Sequence, residues 1–501
     1  MTLALLQLPR LALALDGAAL DGALAARLTE VTVTQALGAP AVAELVFADP
    51  PDAALSGLMP GPALSVGLAT GGALFDGKVT AVAAEETADG LALFRLVARD
   101  ALHPLARRQS LIALEDASAA DLARRLAGDI GLSARIDEPT PSRHLILQGE
   151  QTDLDFLCDV AAEAGLYPTI RNAELRLLSL AGDGEEPVTL ARGRTLLAFR
   201  AALSGDAWLP GGKHLGRDSV TLDKRDTSLS LARQDRVEMR DPGGDLGMGE
   251  RAWLNRLSDS AGAAEAELQG GIDRAAADVA EIEGLAEGDP SLAPGRLVRI
   301  EGVPGPFSGD YALTRALHRI SAAAGYVTEF STARPTRPVR SAAAHVTVGE
   351  VTDVKDPEGL GRCAVTLTDF GAAAAGWMHV VIAGAGARKG LAALPDRGDK
   401  VLVLLPNGDP ARGYVVGGLY GTERLPKGAE DQPRGLYLRS QDGQVLELKG
   451  KDGALRLANR SGSLLDITPR RTRLAAASDM VIEAPGKTIT IRADAIKFER
   501  G

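Results

Sequence analysis

Cysteine is almost missing from this chain: there are two in 501 residues, Cys158 and Cys363, 205 positions apart. That spacing makes neither a disulfide framework nor a zinc ribbon, so both are expected as buried free thiols. Aromatic residues are 4% of the total, so the cores are expected to be built mainly from Ala, Leu and Val. The six histidines, at 103, 144, 214, 318, 345 and 379, never fall closer than 27 positions. This leaves no local metal-ligand pair and no HExxH helix. A GxSxG elbow is absent, and neither cysteine carries a catalytic signature around it. Positive charge is in deficit, 55 Lys plus Arg against 66 Asp plus Glu for a net of -11. A chain of that sign gains no counterion-release affinity overall, so no nucleic-acid partner is expected. Long apolar runs are lacking as well. The start, MTLALLQLPRLALALDG, is broken by Gln7, Pro9 and Arg10, has no basic leader and is too short to span a bilayer. Neither a secretory signal nor a membrane anchor is expected, and the free thiols fit synthesis in a reducing cytosol.

What the chain does have is glycine (57) and proline (27), with 45% apolar and 24% charged residues, the profile of folded, turn-rich β domains. Its length calls for about three to five of them. Residues 11–99 read as short alternating runs such as Val31-Thr32-Val33-Thr34 and predict an antiparallel, barrel-like region. Two helices with legible starts follow. Ser118 caps a run with Leu122, Leu126 and Ile130 every four residues and Asp121 at the capping-box position; Thr152 and Asp155 repeat the device, and Gly165 ends it. A third, Ala- and Glu-rich helix is expected over 263–285, with strands at 296–300 and 326–330. The Pro- and Arg-rich stretch 333–340 then reads as a linker, placing a boundary near residue 341 and an α+β module over 1–340.

Five compact apolar runs follow, at 347–354, 363–367, 377–382, 400–405 and 414–418, and fit a small all-β barrel over 341–425. Residues 426–501 change pattern again. Apolar pairs spaced by one residue recur: Leu436/Leu438, Leu446/Leu448, Leu455/Leu457, Leu465/Ile467, Ile489/Ile491 and Ile496/Phe498. A segment this short, apolar on one face, cannot close a core alone. The economical cover is two more copies, giving an interlocked trimeric β-prism or β-helix with Arg439, Lys449, Lys451, Arg456 and Arg460 outward. At about 4.8 Å per strand, six or seven layers give a needle on the order of 30 Å. The last 67 residues carry +4 and the rest -15, which can attract an anionic membrane or merely solvate the outer faces.

Near-matches to phosphate loops fail on inspection. Gly72 to Lys78 ends in Val79 instead of a hydroxyl residue, and Lys487-Thr488 has Val481 where the first glycine belongs. Gly384-Ala-Gly386 precedes no helical pattern. No catalytic residue, cofactor or metal is assigned, and an enzyme is not expected.

Four ordered motifs are more specific. Val351-Thr-Asp-Val-Lys-Asp-Pro-Glu-Gly-Leu-Gly-Arg362, Gly376-Trp-Met-His-Val-Val, Leu394-Pro-Asp-Arg-Gly-Asp-Lys-Val-Leu-Val and Asn407-Gly-Asp-Pro-Ala-Arg-Gly-Tyr-Val-Val-Gly-Gly-Leu-Tyr420 together resemble the OB-fold domain of VgrG and phage spike proteins. The residues carrying the likeness are Asp356, Gly359, Gly361, Arg362, Trp377, Pro395, Gly398, Asp399, Gly408, Asp409, Pro410 and Gly417. Upstream, Phe75-Asp-Gly-Lys-Val-Thr, Gln151-Thr-Asp-Leu-Asp-Phe-Leu and Pro294-Gly-Arg-Leu-Val-Arg-Ile, with Phe307-Ser-Gly-Asp-Tyr, look like the same family's baseplate hub.

The resemblance implies a mainly β fold with minor α: hub, OB barrel, then trimeric needle. It implies a homotrimer that docks an inner tube protein and baseplate components and carries a PAAR-type tip protein on Phe498, Glu499, Arg500 and Gly501. Such a trimer meets a target membrane transiently and can travel with non-covalent effector cargo in a particle that acts outside the cell. Only about fourteen residues separate Tyr420 from Gly435, so an inserted lysozyme domain is not expected. With no histidine after His379, an H-x-H iron apex is not expected either, nor is an effector fused after residue 501. The alternatives are an OB-fold module binding an oligonucleotide or glycan, and a glycan-cleaving spike enzyme relying on unassigned carboxylates.

Overall fold

A computed structural model of the chain describes residues 8–51, 58–88, 90–234, 249–336, 343–387, 393–423, 435–449 and 453–500. The fold is mainly β. Two compact units emerge, residues 1–417 and 418–501. The boundary expected near residue 341, and the polar stretch 426–433, lie outside the described residues.

In the first unit the expected barrel-like region takes the form of an eleven-stranded antiparallel sheet, which the strands at 280–287, 315–321 and 325–331 join. Alternation sets its faces. On the strand Leu28–Ala36, Val31 and Val33 are buried while Thr32 and Thr34 reach the opposite, wetter face. Ala43, Leu45, Phe47, Leu64, Val66 and Leu96 complete the buried side.

The two capped helices form as read. Over Ala119–Asp129 the Ser118 hydroxyl accepts from Asp121 N at 3.3 Å and the Asp121 carboxylate accepts from Ser118 N at 2.9 Å. Over Asp153–Glu163 the Thr152 hydroxyl accepts from Asp155 N at 3.2 Å. Gly165 follows in the left-handed region at φ +69°, and a Cβ there would lie 2.7 Å from Gly270 Cα, so glycine is required twice over. Leu122, Leu126, Leu154 and Leu157 meet in one apolar cluster between these helices.

The third helix departs from expectation. It runs Ala261–Val279, capped by Ser260, and Ala280–Glu287 is a strand. Ala280, Ile282 and Ala286 are buried while Glu281, Glu283 and Glu287 face outward. That two-residue period is satisfied by ladders to Leu196–Leu203 on one side and Gly325–Ser331 on the other. Tertiary pairing overrode helix-favouring Ala and Glu.

The five runs after residue 343 form the strands His345–Asp353, Cys363–Leu367, Ala373–Val380, Lys400–Leu405 and Tyr414–Leu419. They close into a barrel in the order first, second, third, fifth, fourth, and back to the first. The third and fifth pair in parallel, His379 opposite Tyr414. Val351, Cys363, Val365, Leu367, Met378, Val401, Val403, Leu405 and Val415 fill the interior.

Candidate assembly surfaces

In the second unit, five short strands, Leu436–Arg439, Val445–Lys449, Ala454–Ala458, Leu464–Ile467 and Thr472–Ala475, form an antiparallel meander. Directly opposite residues share a face. One column runs Leu436, Leu448, Leu455, Ile467 and a second Leu438, Leu446, Leu457, Leu465, Leu474. The register therefore brings the first eight proposed needle-core residues onto one face. Leu474 is a ninth, on a strand the pair-counting missed because Thr472 takes its partner's place. Much of this face stays open, with Leu436 at 51% exposure, Leu457 at 42% and Leu474 at 61%. The opposite face carries Tyr437, Glu447, Arg456, Asp466 and Arg473 in cross-strand sequence, flanked by Arg439 and Lys449. Arg460 sits in a turn, and Lys451 lies outside the described residues.

Ile489, Ile491, Ile496 and Phe498 lie beyond the last strand, in a stretch without helix or strand, and Phe498 is 92% exposed. Of the proposed tip contacts, Glu499 and Arg500 are exposed and Gly501 lies outside the described residues.

The barrel motif residues occupy turns and seams. The Asp356 carboxylate accepts from the backbone N–H of Glu358 at 3.1 Å, of Leu360 at 2.9 Å and of Arg362 at 3.1 Å, and from Arg362 Nη2 at 2.7 Å. Both side chains are buried. Arg362 heads the donors that hold the Asp356 carboxyl well below the ordinary carboxylate range. Gly359 and Gly361 take φ of +68° and +73°, completing the hairpin. Gly398 N donates to Val351 O at 2.8 Å, and Asp399 Oδ2 accepts from Asp396 N at 2.8 Å, so the bend after Pro395 is stapled to the first strand. Gly408 lies at φ +70°, Asp409 Oδ1 accepts from Ala411 N at 2.9 Å, Pro410 is buried, and Gly417 sits within the last strand.

Trp377 and His379 share the outer face of the third strand, and the His379 ring stacks on Tyr414 at 6.2 Å. They line a cleft of about 410 Å³ whose far wall is Ser219, Val220, Leu257 and Asp259 of the preceding module. The barrel face on which OB folds take oligonucleotides thus looks onto protein.

Among the described residues no three or more His, Cys, Asp or Glu gather as a metal site, and no helix is long and apolar enough to cross a membrane. Asp100 has a raised pKa of about 6, because it is buried. Its carboxylate caps Leu102 N at 3.0 Å, and among the described residues no second carboxylate stands in hydrogen-bond reach of it.

Comparison with known proteins follows this division. The family model for the phage tail baseplate hub matches residues 34–324, and that for the type VI secretion system/phage-baseplate injector OB domain matches residues 347–420. Among solved structures, an E. coli component of the type VI secretion system, described as similar to the T4 bacteriophage tail proteins gp27 and gp5, superposes with a TM-score of 0.52 at 14% identity. It covers 78% of this chain and 96% of its own. The Francisella PdpA–VgrG complex gives 0.50 at 9% identity, covering 90% of this chain and 76% of the other. The comparison with curated proteins finds no match. Because the hub model spans more than half of its length and the injector OB domain follows directly, the chain belongs to the phage tail baseplate hub family, a family of structural hub and spike components.

Proposed function

We propose that this protein is the homotrimeric hub-spike of a contractile injection system and acts mechanically, not as an enzyme. Residues 1–340 dock the inner tube and baseplate, the OB barrel over 341–425 joins hub to needle, and residues 426–501 form the puncturing needle. The observation that carries the reading is the leucine face of the terminal sheet. Nine apolar side chains in two columns, on a sheet with two open edges, need a cover that the sheet does not supply to itself. Two further copies cover it symmetrically around a threefold axis. Ile489, Ile491, Ile496 and Phe498 repeat the same one-residue spacing and add layers toward the distal end, where Phe498 with Glu499, Arg500 and Gly501 would seat a PAAR-type tip protein. Any effector cargo is carried non-covalently, and the target membrane is met only during the thrust. The decisive experiment is the solution mass of the full chain. A species near 156 kDa, three times the 52.0 kDa chain, is expected, and a monomer at micromolar concentration would overturn the reading.

A further inference from the structure

The Asn-Gly-Asp-Pro bend before the last barrel strand has a local reason, a tight turn, but it also presents a side chain outward. Arg412 leaves the bend toward the hub. Its backbone N–H donates to Asp409 O at 3.3 Å, and its Nε lies 3.8 Å from Asp409 Oδ2, which aims the guanidinium away from the barrel. Nη1 then donates to Leu257 O at 2.6 Å, and Nη2 stands 3.6 Å from Asp259 Oδ1. Asp259 is itself a collecting point. Its Oδ1 accepts from the Ser219 hydroxyl at 2.6 Å and its Oδ2 from His144 N at 3.1 Å. One guanidinium and one carboxylate thus draw together three hub segments, at 143–144, 219 and 257–259, beside the barrel's final bend. The Asp259 side chain is 7% exposed, so losing Arg412 strands a buried carboxylate. Burial alone would raise its pKa; Arg412, followed by the Ser219 hydroxyl, keeps it below the ordinary value.

A second observation points to the same seam. Leu147, on the hub strand Arg143–Leu147, belongs to the barrel's own core cluster, with Leu145 packed against it. Around the clasp, the hub therefore plugs an apolar strand end into the barrel.

We infer that Arg412 is the positioning residue of a rigid joint locking the OB barrel onto the hub. The joint lies within one chain and needs no second copy, so it stands apart from the trimer reading. Its consequence is that axial force on the hub reaches the barrel without a swivel, the polar clasp resisting rotation about the apolar plug.

Hydrogen exchange on the full chain tests this. Arg412→Ala is expected to speed exchange tenfold or more in peptides covering 143–148, 217–220, 256–260 and 411–416. The strands His345–Asp353 and Lys400–Leu405 should stay within twofold of the unsubstituted protein. The isosteric Asp259→Asn should open the same peptides, and Arg412→Lys, which keeps a charge toward Asp259, should recover at least half of the lost protection. Glu358→Gln, on the cleft rim but outside the clasp, should change nothing. Seam exchange within twofold of the unsubstituted protein in both Arg412→Ala and Asp259→Asn overturns the inference. So does acceleration spread evenly over the barrel, which would make Arg412 a folding residue, and so does an equal effect from Glu358→Gln or no recovery with lysine.

Discussion

The barrel and the terminal sheet are both antiparallel meanders in large part, both built from five short strands, and both supplied with aliphatic side chains at alternate positions, yet one is finished and the other is not. In the barrel, Leu367, Val401, Val403, Leu405 and Val415 are fully buried; in the terminal sheet the corresponding apolar face is half open. The difference is closure. The barrel's fourth strand returns to pair with its first, Val401 opposite Gly349 and Val403 opposite Thr347, so inward side chains meet one another across the lumen. The terminal strands are four or five residues long, and their register keeps eight leucines and Ile467 on one side of an open sheet, with nothing to fold back. Apolar content alone does not make a core; geometry that lets the faces meet does.

The largest expected effect separates the two regions by assembly. Leu455→Asp with Leu457→Asp places three pairs of carboxylates on one dry axis in a trimer, so the proposed 156 kDa species should give way to monomer while the barrel stays folded. Ordinary trimer yield, read by light scattering, would contradict an inward leucine face.

Next come truncations on each side. Leu367→Ala, in a closed interior, should cost about 2–5 kcal/mol, at any protein concentration. Leu448→Ala, in the terminal sheet, should matter through association, so its denaturation midpoint should shift with protein concentration. Parallel urea titrations at two concentrations would show the contrast, and an identical response from both variants would erase it.

A smaller effect concerns the barrel's hairpin. Asp356 is ionised in the fold at pH values where an unfolded Asp would be protonated, so the unfolded state binds more protons there. The stability it provides is complete above the ordinary Asp pKa and declines as pH falls below about 4. Asp356→Asn should cost about 1–3 kcal/mol at neutral pH and flatten that acid limb. An unchanged slope in denaturation measured from pH 6 to 3 would assign the acid sensitivity elsewhere.

The smallest effect is chemical. Burial pushes the Cys363 thiol up to about 11, so thiol reagents should label it only as fast as the barrel opens. A cysteine introduced as Leu448→Cys should label rapidly in a monomer and slowly in a trimer. Equal rates for both sites would mean that the terminal face is already covered.

Legibility in the sequence followed the range of the interactions. Capping at Ser118 and Thr152 acts over three residues, and the Asp356 hairpin is stapled within six, so both could be read directly. The shared face of the first eight proposed needle-core residues, seven leucines and Ile467, was readable because a one-residue spacing fixes a face once a strand exists. Residues 280–287 were not: Ala and Glu favour helix, and only ladders to strands about 40 and 80 positions away made the segment extended. Leu474 was missed because its strand breaks the pair rhythm. The roles of Leu147, Asp259 and Arg412 carried no local signal, since the contacts that join barrel to hub, such as Arg412 with Leu257 and Asp259, span more than 100 positions.

The sequence by itself determined the hub, barrel and terminal-repeat order, the turn residues, and the alternation that assigns each side chain to a face, because these depend on near neighbours and on a period of two. Only the tertiary structure decided which strands pair, that one set of five closes and the other stays open, and where the barrel is fastened to the hub. Those choices depend on backbone groups far apart in the chain finding partners at one place, which no local pattern records.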